Sequence, residues 1–300
     1  MKKKELISLL EGNISLDSKK NYLTRLSQIY TKNGKRKMFF EQYANGSGNE
    51  LNNKFWSNHS SSRIAFDLYS CLANEPKVTD FEFEYQLPGI LSKNKESGIP
   101  NMDVYYRIND MVYFVESKFT ETPEKKEEKL AQAYFVKEDE YESTSGKKVK
   151  YPIIDRFHGE KKIALLFSDF CLNQKTKIST HKENDWFDYK QEICHLFGII
   201  FYGLEKAAQT KINKIDFRNI VYKFDEYEEQ FGEKGISPEA QNFIEEGQKL
   251  VQEIFDFRKL NIEFSYGYDF TQNIVKELSE KEVFGLSQNR IGEFMKRYYI

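Results

Sequence analysis

Two apolar stretches separated by only two residues limit the folds that are open to this chain. Residues 102–108 and 111–119 are rich in Val, Tyr, Phe and Met, and Asn109-Asp110 lies between them. Stretches of this kind favour β-strands, and Asn tolerates the positive φ that a two-residue hairpin turn requires. The sequence therefore predicts an antiparallel hairpin with its turn at Asn109-Asp110.

The segments on either side of this hairpin predict a mixed α/β core. Helices are indicated where apolar residues recur at helical spacing after a capping residue. Strands are indicated by short apolar runs or by alternation of apolar and acidic residues. The predicted elements are a helix capped by Ser61 or Ser62, strands over 81–85, 163–167 and 214–224, and a helix capped by Asp185 that reaches about Ala208. Apart from an insertion before the second helix, the order is helix, three strands, helix, strand.

Three regions are predicted along the 300 residues. Residues 1–55 form a helical N-terminal extension, and turn-forming residues around 44–62 mark its end. Residues 56–225 form the α/β core, with the insertion at about 137–183. Residues 226–300 are highly charged and are predicted to form a helical C-terminal extension.

Charge and composition restrict the classes of protein and of partner. Lys and Arg total 45 against 47 Asp and Glu, so the chain is not a basic nucleic-acid coat, and an anionic partner must be met by a local patch. No apolar run approaches the ~20 residues of a membrane helix, and we expect no membrane partner. The three cysteines form no Cys-x-x-Cys pair, so we expect reduced thiols and a cytoplasmic location.

The predicted hairpin brings three charged residues together. Its register places Asp103 directly opposite Glu116, on the same face of the sheet, with Cβ atoms ~4.5–5.5 Å apart. Lys118 lies two residues beyond Glu116 and points to that face as well. Like charges at such a position are tolerated when a cation lies between them or when one is protonated. Because Mg²⁺ takes carboxylates together with water and substrate phosphate, the hairpin is a candidate magnesium site.

A simpler interpretation of the Glu116 and Lys118 pair is an exposed ion pair, which contributes ~0–1 kcal/mol. The same Glu-x-Lys spacing occurs at Glu160 and Lys162, in a highly charged stretch where a solvated surface is expected. The copy at Glu116 differs because it ends a strongly apolar strand, where charged residues are uncommon.

At these residues the sequence resembles the PD-(D/E)xK nuclease superfamily, which has the restriction-endonuclease-like fold. That family carries an Asp on one core strand and (Asp or Glu)-x-Lys on the next, in a core ordered helix, three strands, helix, strand. The resemblance covers roughly 60–224. It implies that Asp103 and Glu116 bind Mg²⁺ together with the main-chain carbonyl of Ser117. It also implies that Lys118 orients the attacking water.

Further candidate residues lie outside the hairpin. Some members of the superfamily add a Gln-x-x-x-Tyr pattern on the following helix, and Gln191 and His195 form a Gln-x-x-x-His pattern here. The resemblance therefore adds Gln191 to the catalytic set. His195 lies four residues later and is expected on the same helix face. Glu82 and Glu84 precede the hairpin, and Glu84 offers a third carboxylate, although we expect both to lie on the solvated face of an edge strand. Two basic clusters, 32–37 and 147–150, offer phosphate contacts.

The resemblance implies a Mg²⁺-dependent endonuclease that hydrolyses phosphodiester bonds in double-stranded DNA. A type II restriction endonuclease or a related bacterial defence nuclease is the expected class, and cleavage of two strands by one site per chain favours a C₂ homodimer. Two alternatives stay open. One is a catalytically idle DNA-binding or protein-interaction module on the same fold, and the other is a DNA repair or junction-resolving nuclease.

Overall fold

A five-stranded mixed sheet organises the computed structural model of the chain. The structure describes residues 1–12, 36–45, 55, 60–89, 100–119, 130, 134–135, 153–178, 185–280 and 295. The strands are β1 (Val78–Gln86), β2 (Asn101–Ile108), β3 (Met111–Lys118), β4 (Lys214–Val221) and β5 (Glu263–Phe270). They lie in the order β1-β2-β3-β4-β5. The first three are antiparallel, whereas β4 is parallel to both β3 and β5.

Helices cover both faces of the sheet. The described helices are α1 (Lys3–Gly12), α2 (Arg36–Asn45), α3 (Ser61–Tyr69), α4 (Ile153–Arg156), α5 (Lys161–Ile178), α6 (Tyr189–Glu205), α7 (Asp225–Phe231), α8 (Pro238–Phe257) and α9 (Thr271–Glu280). Consecutive residues of β2 show the two layers, since Tyr105 contacts Tyr202 of α6 and Tyr106 contacts Tyr69 of α3. The structure therefore confirms an α/β fold.

The predicted hairpin is confirmed in its turn and in its register. Ile108 pairs with Met111, and the pairing continues to Val104 and Val115. Asn109 has a φ of 55°, the left-handed conformation that this turn requires. A local sequence signal was sufficient here because the turn alone fixes the register of both strands.

Both predicted helix caps are displaced by a few residues. The Ser60 side chain accepts a hydrogen bond from the Arg63 amide, so α3 is capped by Ser60 instead of Ser61 or Ser62. Asp188, and not Asp185, caps α6 by accepting from the Gln191 amide at 2.9 Å. Asp185 is buried and accepts instead from the Ser237 hydroxyl at 2.6 Å, which ties the start of α8 to the core.

Two predictions of secondary structure are wrong. The strand predicted at 163–167 is part of helix α5, whose buried residues Ile163, Phe167 and Phe170 recur at helical spacing. Residues 226–300 were expected to be helical, which holds for α7, α8 and α9, but the segment also contains β5. The sheet therefore has five strands, but its fifth strand is Glu263–Phe270 and not 163–167.

Some predictions concern residues outside the described ranges. The cluster 147–150 and most of the cluster 32–37 lie there. Within the described ranges, no helix is long and apolar enough to cross a membrane. Among the described residues, neither Cys171 nor Cys194 forms a disulfide.

Candidate active site

The hairpin brings Asp103 and Glu116 to adjacent positions near the ends of the interior strands β2 and β3. They lie one step beyond the last paired residues, Val104 and Val115. The Ser117 amide donates a hydrogen bond of 2.7 Å to Asp103 Oδ2, so the Asp103 side chain reaches across to β3. The two acids therefore lie close together, although the paired residues of the hairpin end one step before them.

Both carboxylates belong to the face of the sheet that α6 covers. Tyr105 and Phe114 lie on this face, because each ring contacts Tyr202 of α6. Asp103 is two residues from Tyr105, and Glu116 is two residues from Phe114. Since side chains alternate along a strand, all four point to the same side.

Lys118, Glu116 and Gln191 form a closed hydrogen-bonded group. Lys118 Nζ lies 2.9 Å from Glu116 Oε1, and Gln191 Nε2 donates to the same oxygen at 2.7 Å. Lys118 also donates to Gln191 Oε1. Lys118 and Glu116 are each only 5% exposed, so the alternative of an exposed surface ion pair is wrong. The structure therefore assembles the lysine, the glutamate and the glutamine that the sequence singled out.

Electrostatic repulsion acts on Asp103. Burial raises the pKa of the Asp103 carboxyl well above its usual range, and the negative charges of Glu116 and Glu84 raise it further. The hydrogen bond from the Ser117 amide and the charge of Lys118 act in the opposite direction without cancelling this effect. A cation placed among these carboxylates would relieve the repulsion.

Glu84 was expected on a solvated face, and the structure corrects this. The side chain is buried, and the residue lies across from Asp103 because its neighbours Phe83 and Tyr85 pair with Val104 and Met102. Glu84 has a φ of 53°, a left-handed conformation that costs an ordinary residue roughly 1–2 kcal/mol. Strain of this kind within a strand is characteristic of functional sites. Glu84 therefore adds a third carboxylate to the site.

His195 lies behind Glu116, one helical turn after Gln191. Its Nε2 is 3.8 Å from Glu116 Oε2, and the ring packs edge-on against Phe217. Burial lowers the pKa of the imidazole despite the attraction of Glu116, so His195 is neutral at pH 7. The Gln-x-x-x-His pattern thus faces the site with both of its residues.

One acid of α6, Glu192, was not identified from the sequence. It is fully buried, and its Oε2 accepts hydrogen bonds from Asn219 of β4 at 3.2 Å and from Tyr266 of β5 at 2.5 Å. Burial raises the pKa of this carboxyl to about 7, although Lys118 opposes the shift. The sequence signal that could have identified Glu192 was its position directly after Gln191 on the predicted helix.

The donor set suits a hard divalent cation. The candidate ligands are carboxylate oxygens, and Mg²⁺ commonly binds through one or two carboxylates while water and phosphate complete its shell. Within the part of the chain that the structure describes, no three His, Cys, Asp or Glu side chains are already arranged as a metal cage. Asp103 and Glu116 would hold the ion, and Ser117, which lies between Glu116 and Lys118, is the position whose carbonyl the resemblance adds.

Comparison with known proteins assigns no family to the chain. No family model, no curated protein and no solved structure matches it. Functional conclusions therefore depend on the residues of this site and on their geometry.

Proposed function

We propose that the protein is a Mg²⁺-dependent endonuclease that hydrolyses phosphodiester bonds in double-stranded DNA. The observation that carries the proposal is the buried group of Lys118, Glu116 and Gln191, with Asp103 beside it on the hairpin. A buried ammonium beside several carboxylates is expensive to maintain without a role. Groups of this kind are typical of sites that handle phosphate and activate water.

Each residue of the site has a role in this proposal. Asp103 and Glu116, with the Ser117 carbonyl, would hold Mg²⁺, which when bound would polarise the phosphoryl oxygen and lower the pKa of water. The Lys118 ammonium would orient the attacking water or contact the phosphate. Gln191 holds the side chains of Lys118 and Glu116 in place through its hydrogen bonds to both. Glu84 adds negative charge on the far side of Asp103.

Within this class we propose a restriction-endonuclease-like core. Three antiparallel strands, a crossover through α6 and a parallel fourth strand agree with that arrangement. A type II restriction endonuclease or a related bacterial defence nuclease is the proposed biological type. Cleavage of both DNA strands by one site per chain favours a C₂ homodimer.

The test is cleavage of supercoiled plasmid with and without Mg²⁺. We expect the wild type to nick or linearise the plasmid only with Mg²⁺, and Lys118→Ala to be slower by about 10²-fold or more. Lys214→Ala is the matched control, because Lys214 is also a strand lysine paired with a glutamate, at 2.7 Å from Glu263, but is far more exposed. Its cleavage rate should equal that of the wild type.

The outcomes separate the proposal from its alternatives. If wild type and Lys118→Ala leave the plasmid equally intact, the proposed activity is wrong and an idle DNA-binding or interaction module takes its place. Faster cleavage of a four-way junction than of linear duplex would instead indicate a junction-resolving nuclease. Sequencing the ends of the products from a mixed DNA substrate then identifies the recognised bases.

A further inference from the structure

A buried acid lies directly behind the group formed by Lys118, Glu116 and Gln191. Glu192 is fully buried, and hydrogen bonds from Asn219 and Tyr266 hold its Oε2. Its other oxygen, Oε1, is buried and has no hydrogen-bond partner among the described residues. A buried carboxylate oxygen without a donor is costly unless the acid is protonated or a nearby positive charge offsets that cost.

Lys118 is the positive charge that acts most strongly on Glu192. Glu192 follows Gln191 on α6, and Gln191 already bonds to Lys118. Asn219 lies beside Glu116 in the parallel register of β3 and β4, so the donor that holds Glu192 is a neighbour of the same group. Burial lowers the pKa of the Lys118 amine, but Glu116 and then Glu192 outweigh that effect and leave the pKa raised.

We propose that Glu192 is a positioning residue for Lys118, held in place by Asn219 of β4 and Tyr266 of β5. The ammonium then lies between two carboxylates, Glu116 at the mouth of the site and Glu192 behind it. Two carboxylates together restrain the position of the ammonium, whereas with Glu116 alone the lysine would move with the Glu116 side chain. The catalytic role of Lys118 rests on the proposed function, whereas its restraint by Glu192 does not.

Strand β5 contributes to the site through Tyr266. Tyr266 lies in a segment beyond the residues that the family resemblance covers, yet its hydroxyl makes the shorter of the two hydrogen bonds to Glu192. Tyr266 is itself fixed by stacking on Phe217, with ring centroids 4.8 Å apart. Strand β5 thus fixes the acid behind the lysine.

The first measurement needs no cleavage activity. In protein labelled with ¹⁵N-lysine, an ammonium held by buried acceptors exchanges slowly with water and gives an NMR cross-peak, which Lys118→Met identifies by removing it. We expect this peak in the wild type and its loss or broadening in Glu192→Gln. A weaker change is expected in Tyr266→Phe, which removes a single hydroxyl and serves if Glu192→Gln does not fold.

Matched controls distinguish positioning from a general effect on the fold. Glu205→Gln makes the same charge change on α6, and Tyr268→Phe removes a hydroxyl from β5 that donates instead to the Lys234 carbonyl at 3.0 Å. Neither should alter the Lys118 peak. A wild type without this peak, or a peak that Glu192→Gln and Tyr266→Phe both leave unchanged, overturns the proposal.

The second measurement is cleavage under single-turnover conditions. We expect Glu192→Gln to lower the rate about 10–100-fold, as loss of a supporting partner typically does, with DNA affinity measured without Mg²⁺ changed less than about twofold. If no protein cleaves DNA but the Lys118 peak responds, the positioning stands and the proposed function fails. If the wild type cleaves and Glu192→Gln cleaves equally well, the positioning role is wrong and the nuclease stands.

Discussion

Gln191 Nε2 donates a hydrogen bond of 2.7 Å to Glu116 Oε1, while the oxygen of the same amide accepts from Lys118. The nitrogen and the oxygen of one amide group therefore bind the glutamate and the lysine at the same time. Because Gln191 lies in the first turn of α6, the packing of this helix sets the position of both charged groups on β3.

Replacing Gln191 should weaken catalysis more than folding. Gln191→Ala removes both hydrogen bonds and leaves the Lys118 and Glu116 pair free to move, so we expect cleavage to fall about 10–100-fold. Single-turnover cleavage with Mg²⁺ measures this. Gln209→Ala, at an exposed position after α6, is the control. Equal rates for the two variants would show that Gln191 is not part of the site.

Asp103→Asn should stabilise the protein in the absence of Mg²⁺. Burial and the charges of Glu116 and Glu84 raise the pKa of Asp103, so its ionised form is unfavourable in the folded state. Asn keeps an acceptor for the Ser117 amide but carries no charge. We expect the free energy of unfolding at pH 7 to rise by about 1 kcal/mol, within the usual range for a stabilising substitution. Urea unfolding measures it, and the same variant should lose cleavage.

The sign of this effect also fixes its pH dependence. A carboxyl whose pKa is raised by folding contributes stability below its unfolded pKa and loses that contribution as pH rises through the folded pKa. The advantage of Asp103→Asn should therefore disappear in acid. An advantage that grew towards low pH would contradict the assignment.

Mg²⁺ should stabilise the folded protein through the carboxylates of the hairpin. A ligand at ten times its Kd adds about 1.4 kcal/mol to the free energy of unfolding. We expect thermal unfolding to shift upward with Mg²⁺ in the wild type and not in Asp103→Asn or Glu116→Gln. Asp256→Asn, on the exposed side of α8, should respond like the wild type. An equal shift in all four proteins would indicate binding elsewhere.

Glu192 should make stability depend on pH near neutrality. Folding raises its pKa from 4.5 to about 7, chiefly because the carboxyl is buried. The shift corresponds to about 3 kcal/mol in the free energy of unfolding. This contribution is present below pH 4.5 and is lost as the pH rises through about 7. The groups that act on this acid are Lys118, Glu116, Tyr266 and Asn219.

Urea unfolding between pH 4.5 and 8 tests this in wild type and Glu192→Gln. The difference in stability between the two proteins should shift in favour of the variant as pH rises. Glu205→Gln provides the comparison, because Glu205 is about half-exposed on the same helix. A constant difference between wild type and Glu192→Gln would contradict the raised pKa.

The parts of the site that follow from local geometry were predictable from the sequence. A two-residue turn at Asn109 fixes which residues of β2 and β3 face each other, and the alternation of side chains then places Asp103, Glu116 and Lys118 on one face. Gln191 was identified through the family resemblance. Its contact with Lys118 depends on how α6 packs, which no local pattern in the sequence specifies.

The errors have identifiable physical causes. A short apolar run at 163–167 suits a buried strand or one side of a helix equally well, and only the continuation to Phe170 and Cys171 distinguishes them. Strand β5 carried a readable signal, with aromatic residues at every second position from Phe264 to Phe270. Glu84 was misplaced because its positive φ interrupts the alternation on which the prediction relied.

The position of β5 in the sheet has a consequence for shortened forms of the chain. A version that ended after α7 would lack β5 and would leave β4 as an exposed edge strand, with its now buried Ile215 and Phe217 uncovered on that side. An exposed apolar edge strand pairs readily with other molecules. Such a fragment would tend to aggregate. The shortest fragment of this protein that stays soluble and active should therefore include β5, the strand that supplies Tyr266.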